Sequence, residues 1–375
     1  MYHPLASRAV SPRPATRRGL LLLAAVLVVH GKPAEELRPM CAELLRRGPI
    51  PWAPLHAQGG SHLRFASYTP NRLELEWFQR ITRANPRNCT AWEKGGSLWQ
   101  ALAGLPSSTG PVGEHLRSRM HFIDPATRER VSSEIEPLVG SLRHHTLGVR
   151  ANTSTRAALM SKEHYILPDR TLLRRALGVG GRLLFYDVGA SLFSSGAGGD
   201  GGASQEWFAR KYGKRAGRPY PGFDMIWAWE AIPYAPDKLW STFPPEVIPR
   251  IHYYNVPAQT DPGSPMNPWF TLKATARPGD FVVVKLDVDH QPTELALVRQ
   301  LLADPELAGL IDDFFWEHHV AGSIVGCPKI WRGGPKGGWA RMVFDSTLGA
   351  LETLAESYAI FMQLRCRGIR AHSWV

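Results

Sequence analysis

The sequence predicts an α/β fold, with a mostly parallel sheet flanked by helices, on two observations. Three apolar runs end in an acid: Leu183 to Asp187, Met225 to Glu230 and Phe281 to Asp287. A strand buried on both faces reads as a continuous apolar run of this kind. The segments between and after these runs carry apolar residues at helical spacing, so strands and helices alternate. Alternation implies parallel pairing through right-handed crossovers.

Taken in order, the elements begin with a region rich in Pro, Gly, Arg and Trp. There Leu73, Leu75, Trp77, Phe78 and Ile81 predict a short amphipathic helix over 71–83. Ser97 to Leu102 is a second candidate helix, and Ser107 to Gly113 reads as a loop. Residues 32–154 are therefore expected to be an irregular, partly helical extension. Residues 155–375 form the regular domain. Asp169 is placed to cap a helix reaching Ala176, which Gly178 and Gly180 would end. Strand one spans Arg182 to Asp187, a glycine-rich loop runs from Gly189 to Gly202, and Gln205 to Tyr212 is the first crossover helix. Strand two ends at Glu230, Ile251 to Val256 is strand three, and strand four ends at Asp287. A helix over 293–302, a strand within 310–320, a long helix over 348–367 and a last strand from Ile369 to Val375 complete the plan.

The chain has 375 residues, 44 Lys and Arg against 33 Asp and Glu, and a formal charge of +11. Its arginines are scattered, without a basic block or aromatic interleaving, which argues against nucleic acid. An acidic glycan or an anionic membrane surface is an equally natural counterpart of the charge. Arg8, Arg13, Arg17 and Arg18 precede the apolar run 19–29, and no acid occurs before Glu35. This is a signal-peptide pattern over 1–31, directing the chain to the ER or Golgi lumen or to secretion, with a single-pass anchor through 19–29 as the alternative. The sequons at Asn88 and Asn152 agree with that route. Cys41, Cys89, Cys327 and Cys366 contain no CxxC pair, which argues against a metal knuckle. Cys41–Cys89 with Cys327–Cys366 are the local disulfide options, free thiols the alternative.

Carboxylates at neighbouring strand tips describe a nucleoside crevice in an open α/β sheet. Ser191 stands where GxGxxG needs its second glycine, and no GxxxxGK[ST] occurs. A nucleoside without phosphate, such as S-adenosylmethionine, is left, and Glu230 suits its ribose hydroxyls.

Asp187-Val188-Gly189-Ala190 resembles motif I of class I S-adenosylmethionine-dependent methyltransferases. Val283-Val284-Lys285-Leu286-Asp287-Val288-Asp289 resembles the lysine–aspartate motif of the FkbM-type members, with Asp289-His290 where those carry glutamate and glycine. Glu294-Leu295, Glu317-His318-His319 and Gly368-Ile369-Arg370 follow the same course, so the resemblance covers about residues 180–375. It implies a Rossmann-like methyltransferase domain performing O-methyl transfer to a sugar or other hydroxyl. Asp187, Gly189 and Ala190 would line the cofactor pocket and Glu230 hold its ribose. Asp287 would lie beside the cofactor amino acid or the acceptor. The chain ends with what reads as a sixth strand, where that fold has seven.

Methyl transfer to a hydroxyl needs alignment and the removal of one proton. Asp287, His290 and His319 are the candidate bases. Strand-end acids with His318 and His319 could bind a divalent cation, but no ligand pair has diagnostic spacing, so no metal is expected. Lys285, ending a buried strand, should need a carboxylate partner. Trp269 is expected to pack rather than to cover an acceptor sugar. A catalytically degenerate scaffold and a nicotinamide-dependent oxidoreductase are the competing functions.

Overall fold

The computed structural model describes residues 41, 63–71, 74–75, 117–136, 138, 168–194, 204–318 and 354–374. Three strands come first: β1 (Arg64–Thr69), β2 (Ser118–Ile123) and β3 (Arg130–Ile135). They are followed by α1 (Arg170–Gly178), β4 (Leu183–Val188), α2 (Ser204–Ala216), β5 (Met225–Trp229), α3 (Pro236–Trp240) and β6 (Ile251–Tyr254). The chain continues through α4 (Pro268–Thr275), β7 (Phe281–Leu286), α5 (Gln291–Ala303), α6 (Pro305–Leu310), β8 (Asp313–Trp316), α7 (Leu354–Cys366) and β9 (Arg370–Ser373).

Strands β4 to β9 form one sheet in the order β6-β5-β4-β7-β8-β9. Every neighbouring pair in it is parallel. The connection reverses direction between β4 and β7, which makes their carboxyl ends the topological switch point. All six residues of both strands are buried, as their unbroken apolar runs require. On one face Tyr186, Trp227 and His252 stack in register across β4, β5 and β6. On the other, Phe185, Phe315 and Trp374 pack around Phe208 of α2. Asp169 caps α1 as expected, accepting from the Thr171 and Leu172 amides at 2.8 and 2.9 Å. Among the described residues this sheet has no seventh strand, and no helix is long and apolar enough to cross a membrane.

The extension differs from its expected form. Its described part is not chiefly helical but an antiparallel sheet in the order β1-β2-β3. Buried and outward positions alternate along β2 and β3, the period of a sheet covered on one face. Of the helix expected over 71–83, Glu74 and Leu75 are described and are helical. Neither local disulfide option forms as written: Cys41 is bonded to Cys366, with Cα atoms 5.3 Å apart. The cysteine choice was set by the packing of α7 against distant chain, which separation in sequence cannot reveal. The signal segment, both sequons, the second candidate helix and the Ser107–Gly113 loop lie outside the described residues.

A buried ionic cluster joins the two sheets. Arg365 of α7 lies 3.7 Å from Glu74 and 3.8 Å from Glu136, and donates to the Tyr68 hydroxyl at 2.7 Å. Tyr68 and Ser118 also donate to Glu74. His372 of β9 places Nδ1 2.6 Å from Glu136 and Nε2 3.4 Å from Asp313. Asp313 in turn holds Arg370 and Tyr212, each at 2.5 Å. An imidazole facing a carboxylate at each nitrogen satisfies both only as the imidazolium. Three cations then meet three carboxylates. Burial disfavours the charged ring, but Glu136 and Asp313 outweigh it and raise the His372 pKa above its ordinary value.

A group whose pKa is raised by folding contributes fully below its unfolded value of about 6.5, and that contribution is lost as pH climbs through the folded value. Thermal unfolding between pH 6 and 9 should therefore show stability falling with pH, and His372→Gln should be less stable at pH 6 with a flatter profile. Arg365→Met leaves the buried Glu74 without its cation and should cost about 3–5 kcal/mol in denaturant unfolding.

Candidate functional site at the switch point

Parallel register sets Asp187 of β4 beside Ala228 of β5 and Lys285 of β7. Asp187, Glu230 and Asp287 consequently share the carboxyl edge of the sheet. The ammonium of Lys285 is buried between them. It donates to the Gly189 carbonyl at 2.8 Å and lies 3.0 Å from Asp287 and 3.4 Å from Asp187. The expected ion pair is present, with two carboxylates. Burial opposes the charge on Lys285, yet these carboxylates hold its pKa above the ordinary lysine value.

Asp187 is fully buried, with the Lys285 ammonium 3.4 Å from one carboxylate oxygen. Burial pushes its pKa up to about 6, against the pull of Lys285. The other polar group facing it is Gln205, buried in the first turn of α2. Neither amide atom of Gln205 has a hydrogen-bond partner. Gln205 was not foreseen as a site residue. Its signal was spacing: it lies three residues before Phe208, on the side of α2 that meets β4.

Gly189 turns the chain at φ 96°, and a Cβ there would lie 1.6 Å from the Asp287 carbonyl oxygen. The glycine is needed because β7 passes beneath it. Its amide and that of Ala190 both donate to the Trp229 carbonyl at 2.9 Å, and Ala190 is buried in protein. Ser191 adopts φ 56°, a left-handed backbone at the place of the missing glycine. Its amide donates to Glu230 at 2.7 Å, and the Ile232 amide donates to the other Glu230 oxygen at 2.6 Å. Glu230 thus braces two loops while each oxygen keeps a further lone pair. Tyr253 donates to the Ser191 carbonyl at 2.8 Å.

Across the switch point, Asp289 is also left-handed, at φ 53°. Carboxylate oxygens of Asp287, Asp289 and Glu317 lie within 4.8 Å of one another, a spacing a divalent cation could accept. Burial and the adjacent Asp287 drive the Glu317 pKa well above its usual range. Glu317 was not among the assigned site residues, although Phe314-Phe315-Trp316-Glu317 repeats the apolar-run-plus-acid pattern of the other strands. His290 is exposed at the start of α5, its Nδ1 2.8 Å from the Thr293 hydroxyl, so Nε2 faces outward bond-free among the described residues. His318 stacks on Trp316 and pairs through Nδ1 with Ser357 at 2.8 Å. His319 lies outside the described residues. Glu294, fully buried, ties the Val288 amide to the Trp316 indole, each at 3.0 Å. Trp269 packs as expected, its Nε1 donating to the Leu297 carbonyl at 2.9 Å.

Gly189→Ala should destabilise the chain by about 3 kcal/mol or more in denaturant unfolding, since it combines a backbone clash with a disfavoured φ. No family model, curated protein or solved structure matches this chain.

Proposed function

We propose that the chain is an S-adenosylmethionine-dependent O-methyltransferase acting on a hydroxyl of a carbohydrate or glycoprotein acceptor. The observation that carries this reading is the set of carboxylates Asp187, Glu230 and Asp287 at the carboxyl ends of neighbouring parallel strands beside the switch point. Carboxylates gathered there suit a ligand that offers ammonium and hydroxyl donors. The residues fit the methyl donor: Asp187 for its ammonium, Glu230 through its remaining lone pairs for the ribose hydroxyls. Gly189 and Ala190 shape the floor between them.

When bound, S-adenosylmethionine supplies an activated methyl group with a neutral thioether as leaving group. The chain then needs to align the acceptor oxygen and take its proton. His290 would take the proton at Nε2, since its Nδ1 pairs with the Thr293 hydroxyl. Asp287, fixed by Lys285, orients the acceptor hydroxyl. The Cys41–Cys366 bond supports an oxidising compartment, in keeping with the basic, apolar N-terminal pattern.

A second reading draws on strand order. Six parallel strands reversing between the first and fourth are the arrangement of dinucleotide-binding sheets. A nicotinamide-dependent oxidoreductase would use the same edge.

Calorimetry separates the readings. S-adenosylmethionine should bind at micromolar Kd, Asp187→Ala should abolish binding, and Glu230→Ala should weaken it about tenfold. Affinity should fall as pH drops below about 6, where Asp187 takes up a proton. NADH binding in its place would establish the second reading, and S-adenosylmethionine binding without turnover on any hydroxylated acceptor would leave a scaffold.

A further inference from the structure

We propose that the outward face of the β1–β3 sheet docks a linear anionic glycan, one carrying sulfate or carboxylate groups along its length. The register puts Arg64, Ile123 and Arg130 in one row across the three strands. A second row holds Ser67, His121 and Ser132, and Arg119 lies beyond it on β2. Arg64, Arg119 and Arg130 are all exposed, while the opposite face carries the buried Tyr68, Met120 and Val131.

Charge on this face is unbalanced. Of the acids between Ser118 and Ile135, Asp124 and Glu129 are ion-paired to Arg175, and Glu134 is held at 3.1 Å by Arg117. Arg119 stands 4.0 Å from the already neutralised Glu134. Arg64 and Arg130 have no acid within ion-pair distance among the described residues. The excess is felt by His121, whose pKa is lowered by burial and then by Arg130 and Arg119. Its Nδ1 is buried without a hydrogen-bond partner.

Spacing separates a chain from a single ion. Arg64 and Arg130 are two strand spacings apart, about 9–10 Å, and Arg119 lies four residues along β2 from their row, about 13–14 Å. No one sulfate or phosphate spans that distance, whereas successive anionic groups of a polymer do. Guanidinium groups suit such oxyanions through paired N–H donors, and the serine hydroxyls between them suit sugar hydroxyls. A membrane is the poorer partner, because interfacial binding buries an apolar face and Ile123 is the only large apolar residue in these rows.

The test is binding of a heparin oligosaccharide over a salt series, compared with Arg64→Ser/Arg119→Ser/Arg130→Ser and with the corresponding triple lysine variant. The serine variant should lose at least about tenfold in affinity and about two to three in the slope of log K against log salt, while the lysine variant keeps the slope. Circular dichroism and thermal unfolding check that these exposed substitutions leave the fold intact. Unchanged affinity and slope in the serine variant would overturn the proposal. So would tighter binding to phosphatidylserine vesicles than to heparin. The methyl donor takes no part in either measurement, so this surface stands or falls separately from the enzymatic reading.

Discussion

The ammonium of Lys285 is buried at the point where β4 and β7 part, and much of the surrounding geometry follows from keeping it there. A buried cation is tolerated only with carboxylate and carbonyl partners around it. Asp187 on β4, Asp287 after β7 and the Gly189 carbonyl are those partners. Holding all three draws the tips of the two strands together. That closeness places the Asp287 carbonyl where any Cβ at position 189 would sit, so the residue after Val188 must be glycine. Beyond this knot the connections run to opposite sides of the switch point.

The knot shares one face of the sheet with the cluster that holds the extension. Parallel register aligns Asp187, Lys285, Phe315 and His372 in a single row across β4, β7, β8 and β9. At one end of the row lies the Lys285 knot, at the other the Glu136–His372–Asp313 bridge. Phe315 stands between them and stacks on the His372 ring at 4.4 Å. An apolar ring of that size separates two buried charge networks, one with a single cation against two carboxylates and one with three cations against three carboxylates. The sheet can thereby carry both without one titration directly disturbing the other.

Strain collects where the chemistry is proposed. Ser191 and Asp289 adopt left-handed backbones on opposite sides of the switch point. Glu230 holds the first loop through two backbone amides, and Glu294 holds the second through the Val288 amide and the Trp316 indole. Each loop is therefore fixed by one acid whose carboxylate spans two segments. Side chains braced in this way are positioned before any ligand arrives, which is what binding with little reorganisation requires.

Apolar runs ending in acids were enough to locate β4, β5 and β7 and to place Asp187, Glu230 and Asp287 at one edge, because burial on both faces leaves a continuous hydrophobic signature. The cap at Asp169 and the partner required by Lys285 were legible for similarly local reasons. The extension was misread, since its strands are six residues long, β1 lies far from β2 in the chain, and a period of two over six positions competes with a short helical reading. Glu317 followed the same pattern as the other strand-tip acids, but only the pairing of β8 with β7 set it against Asp287. The Cys41–Cys366 bond, the bridge through His372 and the position of Gln205 opposite Asp187 depended on tertiary structure alone. They join residues that meet because elements pack, and separation along the chain carries no record of that distance in space.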